Sequence, residues 1–144
     1  VGGEPRKYRL PMPQVTGADL SFSGIKTAFN GVVQRGMSND PGFVTRELPH
    51  LCASLQQSIV DVLLRKVQKI ARGTGVKQIA MSGGVSANTV LRDQFEALAL
   101  REGWQAHVPP LAYCTDNGAM IAMAGHYLLA AGTTVGLDVV PHTR

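Results

Sequence analysis

Two short stretches place residues that could recognise charge at predicted helix starts. In IAMSGGVSANTVLR (79–92), Ser82, Gly83 and Gly84 follow an apolar run, and Asn88 precedes a helical pattern. A chain that leaves a strand and restarts as a helix gathers unpaired backbone N–H groups and a positive dipole end, which favour an anion. Adjacent glycines let a phosphate or nucleoside approach the backbone without β-carbons in the way. The same residues also suit a tight turn, with Asn88 as a routine cap or as an amide for a ligand hydroxyl. In YCTDNGAM (113–120), Asp116 stands at a second helix start. Its carboxylate reads first as an N-cap and otherwise as a group facing a metal or a phosphate-bound cation. One carboxylate does not make a metal site. His50, His107, His126 and His142 show neither H-x-x-x-H nor H-x-x-E-H spacing.

Other chemistries find less support. The sequence has no G-x-G-x-x-G and no G-x-x-x-x-G-K-[ST]; in SGIKT (23–27), Ile25 separates Gly24 from Lys26. Nucleophilic catalysis is not indicated either. Cys52 falls mid-helix on the apolar side and is expected to be a small core residue. Cys114 lies near Asp116 but has no evident histidine partner.

The elements that must position these residues follow from periodicity. Residues 1–20 read as an extended leading segment, 21–36 as a first short helix and 37–42 as a loop. In RELPHLCASLQQSIVDVLLRKVQKIARGTG, Leu48, Leu51, Leu55, Ile59, Val62, Leu63, Val67 and Ile70 recur at helical spacing. This predicts a long helix over about 47–72, ended by Gly73 and Gly75. KQIAM (77–81) is expected as a short buried strand, 88–102 as a helix with Leu91, Phe95, Leu98 and Ala99 on one stripe, and 104–108 as a second strand. A strand–helix–strand order implies a parallel pair. PPLAYCT is expected as a loop, 116–132 as the last helix and the remainder as a tail. The predicted class is α/β, helix-rich with a short parallel sheet, organised as a leading segment (1–20), a body (21–132) and a tail (133–144).

Composition bounds the function. Of 144 residues, 44% are hydrophobic and 17% charged, which is globular rather than disordered. No apolar run is long enough to span a membrane, and the start lacks a signal-peptide core. Two cysteines distant in sequence form neither a zinc pattern nor a disulfide framework, so a reduced, cytoplasmic setting is expected. The net charge is 14 − 10 = +4. Arg65, Lys66, Lys69, Arg72 and Lys77 follow one another with no acid among them. They read as a solvated helix face or as a footprint for an acidic partner such as RNA.

Three ordered motifs, ADLSFSGIKTA (18–28), MSGGVSANTVLR (81–92) and YCTDNGAMIAMAG (113–125), resemble the TsaD/Kae/Qri family. Its members are the catalytic subunits of tRNA N6-threonylcarbamoyladenosine synthesis, formerly called O-sialoglycoprotein endopeptidases. The resemblance implies part of one lobe of an actin/Hsp70/sugar-kinase-like ATPase fold. It implies transfer of threonylcarbamoyl from threonylcarbamoyl-adenylate to the adenosine 3′ of a tRNA anticodon. It makes Asn88 a substrate-binding residue, sets Gly83 and Gly84 along a site for that adenylate or an ATP-like nucleotide, and gives Asp116 as one ligand of an iron or zinc ion. tRNA, partner subunits and a homo-oligomer are the implied partners. The family's H-x-x-x-H histidines and first glycine-rich loop have no match in this sequence, which resembles about the C-terminal two-fifths of such a protein. A metal site and independent activity are therefore not expected of these 144 residues. Other readings are a carbohydrate kinase, a hydrogenase-maturation carbamoyltransferase of the same superfold, or a non-catalytic partner-binding lobe. The older protease label finds no zincin motif or nucleophile–base pair.

Overall fold

The computed structural model describes residues 2–133. In chain order it comprises α1 (Ser23–Asn39), α2 (Phe43–Thr74), β1 (Gln78–Ala80), α3 (Thr89–Glu102), β2 (Gln105–His107) and α4 (Gly118–Ala130). Single 3-10 turns occupy Gly84–Ala87 and Leu111–Tyr113. The expected tail lies, beyond Thr133, outside the described residues. The two strands pair in parallel, Gln78 with Gln105, Ile79 with Ala106 and Ala80 with His107. The result is a helix-rich α/β protein with a two-stranded parallel sheet.

α2 is 32 residues long, about 48 Å at helical rise. It stops where Gly75 takes a left-handed conformation (φ +75°) and returns its N–H to the Ala71 carbonyl. Gly73 does not end it but sits in the last turn. Residues 3–17 contain no helix or strand and run alongside α2 as a strap. The Glu4 N–H donates to His50 Nδ1 (3.0 Å) and the Tyr8 N–H to Ser54 Oγ (3.1 Å). Arg6 forks onto Asp61, while Lys7 and the Tyr8 hydroxyl both donate to Glu47. Lys7, then Tyr8, hold the Glu47 carboxyl below its ordinary pKa. Farther along, Lys66 Nζ donates to the carbonyls of Val15 and Gly17, both at 3.0 Å. Gly3 must be glycine, because a β-carbon there would lie 1.9 Å from the Pro49 carbonyl oxygen.

The core forms where α3 crosses the end of α2. Leu91, Phe95, Leu98 and Ala99 are all buried, as the stripe predicts. Leu98 and Ala99 join Ala71 and Trp104 in a cluster flanked by Leu64, Val67, Ile79 and Ala106. Fully burying a side chain such as Leu98 or Phe95 contributes about 1.5–3 kcal/mol.

Five expectations need correction. The region 37–42 is not all loop, since α1 continues to Asn39. The strand at 77–81 is not buried: Gln78 and Ala80 are exposed, because a two-stranded sheet turns only Ile79 and Ala106 toward the core. The apolar stripe of α2 is divided between two faces. Leu51 and Val62 are buried, whereas Leu48 is 52% exposed. Cys52 is exposed too, so it is not a core residue. The side of α2 that faces the strap and α3 instead buries small and polar groups, Ala53, Ser54 and Gln57. Last, α4 begins at Gly118, two residues later than expected.

Candidate functional site

The carboxyl ends of β1 and β2 lie side by side, and each feeds a loop. That is where open parallel sheets place their ligands. From β1 the chain passes through Ser82 to Gly83, whose φ of +86° and ψ of 170° suit essentially only glycine. Nothing lies within 4 Å of a β-carbon placed there, so conformation and not crowding demands the glycine. Gly84 has neither constraint: its φ is ordinary and the space beside it is open. The sequence suggests a glycine pair opening directly into α3, but a 3-10 turn, Gly84–Ala87, intervenes. Ser86 in that turn is buried and donates its hydroxyl to the Gly83 carbonyl. The glycines therefore precede a single turn, and Asn88 alone stands at the start of α3.

Asn88 is committed on both sides of its amide. Oδ1 accepts from the Leu91 N–H (3.0 Å), the N-cap bond, and Nδ2 donates to Gln56 Oε1 on α2 (3.1 Å). The cap reading of the sequence is thus realised, and one amide N–H remains for a ligand. Asn88 and Val85 border a largely apolar groove of about 410 Å³ against Leu55, Ile59 and Leu63 of α2. A second groove, about 360 Å³, adjoins it through Val85, Leu63 and Leu91 and reaches Ser82.

Arg92 clasps the two loops together, a role that no sequence signal marks. Its Nη1 donates to the Ser86 carbonyl (3.0 Å) and toward Cys114 Sγ (3.5 Å), and Nη2 donates to the Pro109 carbonyl (2.8 Å). Cys114 is buried and its Sγ also approaches the Pro110 carbonyl (3.5 Å). Among the described residues the cysteine bonds no histidine and is packed against carbonyls, as a structural thiol and not a nucleophile would be.

Asp116 is exposed and does not cap α4. Asn117 does: its Oδ1 accepts from the Met120 N–H (3.1 Å). The preference for Asp and Asn at N-caps is nearly equal, so the DN pair was ambiguous in sequence. Among the described residues no three His, Cys, Asp or Glu side chains gather as a metal site would require. These residues do not fit a metal by themselves. α4 buries none of its residues, and Met120, Ile121, Met123, Tyr127 and Leu129 are exposed. No helix among the described residues is long and apolar enough to cross a membrane.

The basic run is dispersed by the fold. Arg72 leaves it to form a forked pair with Glu102 on α3 (2.7 and 2.8 Å), and Gln68 donates to the same carboxylate. Arg72 first, then Gln68, pull the Glu102 pKa down to about 2. Lys66 serves the strap. Among the described residues, Arg65, Lys69 and Lys77 have no acidic partner.

A parallel strand–helix–strand unit, with a glycine loop clasped at its carboxyl ends, defines an α/β protein. The family follows from comparison. Residues 2–123 match the TsaD family model, described as tRNA N6-adenosine threonylcarbamoyltransferase, and the chain belongs to that family. It is 43% identical over 142 residues to a Porphyromonas gingivalis protein of that description, covering 99% of this chain and 42% of the relative. Similar proteins of the same description come from Cytophaga hutchinsonii (41% identical, 99% of this chain, 41% of the relative) and Fervidobacterium nodosum (40%, 96% and 41%). The chain thus spans about two-fifths of the length of these curated relatives.

Proposed function

We propose that the chain is part of a tRNA N6-adenosine threonylcarbamoyltransferase and supplies one wall of its adenylate site. The observation that carries this reading is the Gly83–Asn88 loop, open beside Gly84 and bordered by two apolar grooves, in a chain of the TsaD family. A base or ribose would lie against Val85 and the α2 leucines, with the phosphate near the glycines and the free Asn88 N–H on a polar group. The donor, threonylcarbamoyl-adenylate, is already activated. The N6 amine of a tRNA adenosine attacks its carbamoyl carbon, the bond to the adenylate phosphate breaks, and the amine proton departs with solvent. Such a reaction needs chiefly positioning and charge stabilisation.

The wider reading extends from there. The chain forms part of one lobe of a two-lobed actin/Hsp70/sugar-kinase-like fold, working in the cytoplasm with tRNA, partner subunits and a second copy as partners. Asp116 gives one ligand to an iron or zinc ion whose other ligands lie outside these residues; bound, such an ion would act as a Lewis acid. A second reading, a lobe that only docks partner subunits, draws on the exposed apolar side chains of α4.

Asn88 separates the two. In the full-length protein, Asn88→Ser keeps a capping oxygen but removes the amide donor. Adenylate affinity measured by calorimetry should fall by about 1–3 kcal/mol, with the melting temperature nearly unchanged. Absence of adenylate binding in the parent, with partner binding intact, would favour the docking lobe.

A further inference from the structure

Two grooves on the strap side of α2 share one wall residue, Arg65, and their charge is one-sided. The first, about 460 Å³, lies between the strap at residues 12–16 and α2, with Arg65, Lys66 and Lys69 along its rim. The second, about 380 Å³, lies between α2 and α3 and is bordered by Arg6, Arg65 and Arg101, with Asp61 as its one acid. Five cations and one carboxylate thus border the two grooves.

The cations are unequally free. Arg6 is spent on Asp61, and Lys66 on two strap carbonyls. Arg101 is 68% exposed, and its nearest carboxylate, Glu102 at 4.0 Å, is already taken by Arg72. Arg65 and Lys69 are exposed, with no acidic partner among the described residues. They lie one helical turn apart, about 6 Å along the axis, close to the step between successive phosphates of a nucleic-acid strand. A single small anion would call for donors converging on one point. Cations spaced along a path suit a chain of phosphates.

We infer that this face of α2 and α3 is a track for the RNA sugar–phosphate backbone, with Arg65 and Lys69 as its phosphate contacts and Arg101 extending it. The inference rests on the proposed tRNA substrate and names where on this chain that substrate lies. Lys66, a member of the same basic run, is instead a structural pin for the strap.

The test is tRNA binding by the full-length protein, measured by fluorescence anisotropy between 50 and 200 mM salt. The double variant R65E/K69E should bind at least about tenfold more weakly at the lower salt, and its log–log salt slope should be shallower by about 1–2. K26E/R35E changes the charge equally at exposed positions of α1 outside both grooves, and should keep the parent slope. Parent-like affinity and slope in R65E/K69E overturn the track, and are the result expected if an acidic protein is the occupant. Equal losses in both double variants also overturn it, because they reflect net charge alone. If the parent binds no tRNA, the proposed function fails and the track with it; if the parent binds and R65E/K69E is unaffected, the track alone fails.

Discussion

The loops after β1 and β2 solve the same local problem, yet they lead to opposite outcomes. Each begins α3 or α4 with an asparagine whose Oδ1 accepts from the N–H three residues on, Asn88 from Leu91 and Asn117 from Met120. α3 then buries Leu91, Phe95, Leu98 and Ala99, whereas α4 buries nothing. The caps are equivalent, so capping does not decide burial. The difference lies in what each helix meets. α3 packs on α2 and β2, while α4 makes no comparable packing with another described element. Local sequence starts a helix, and tertiary partners supply most of its stability.

The largest expected effect comes from breaking the clasp that joins the two loops. Arg92→Ala removes charged donors from the Ser86 and Pro109 carbonyls and should destabilise the protein by about 2–3 kcal/mol in denaturant unfolding. Arg92→Lys should recover only part of this, because an ammonium cannot fork between two loops. If Arg92→Ala unfolds like the parent, the clasp between the loops contributes nothing.

Within the loop after β1 the two glycines should behave differently. Gly83→Ala forces a β-carbon into a conformation that only glycine tolerates and should cost about 1–3 kcal/mol. Gly84→Ala meets open space at an ordinary φ and should leave stability within about 0.5 kcal/mol. Its effect should appear in adenylate affinity if the phosphate lies beside it. Equal stability losses at both positions would mean that the backbone, and not a ligand, requires the pair.

These contrasts mark what the sequence made legible. The stripe at Leu91, Phe95, Leu98 and Ala99 and the parallel pair were readable because period and element order are local. The Asn88 cap was readable for the same reason. Arg92 was not, because its partners lie 6, 17 and 22 residues away and a lone arginine carries no pattern. The exposure of Leu48 and Cys52 was hidden likewise: periodicity says that a face is apolar, not that anything covers it. The basic run looked uniform in sequence, and only the fold turned Arg72 to Glu102 and Lys66 to the strap.

The smallest expected effect concerns the loop after β2 and separates two adjacent residues. Asn117→Ala removes the α4 cap and should cost about 1 kcal/mol locally, read as faster amide exchange in the first turn of α4. Asp116→Ala should change stability by less than about 0.5 kcal/mol, since this exposed carboxylate makes no cap bond and no ion pair among the described residues. A side chain that does so little for its own fold is free to serve something outside it. Metal analysis of the full-length protein should therefore show iron or zinc falling after Asp116→Ala while the melting temperature holds, with Asn117→Ala showing the reverse. The 144-residue chain alone should hold no stoichiometric metal, because one carboxylate lacks the convergent ligands a bound ion requires. Loss of stability at Asp116 without loss of metal would make it a structural residue and leave the metal reading without a ligand on this chain.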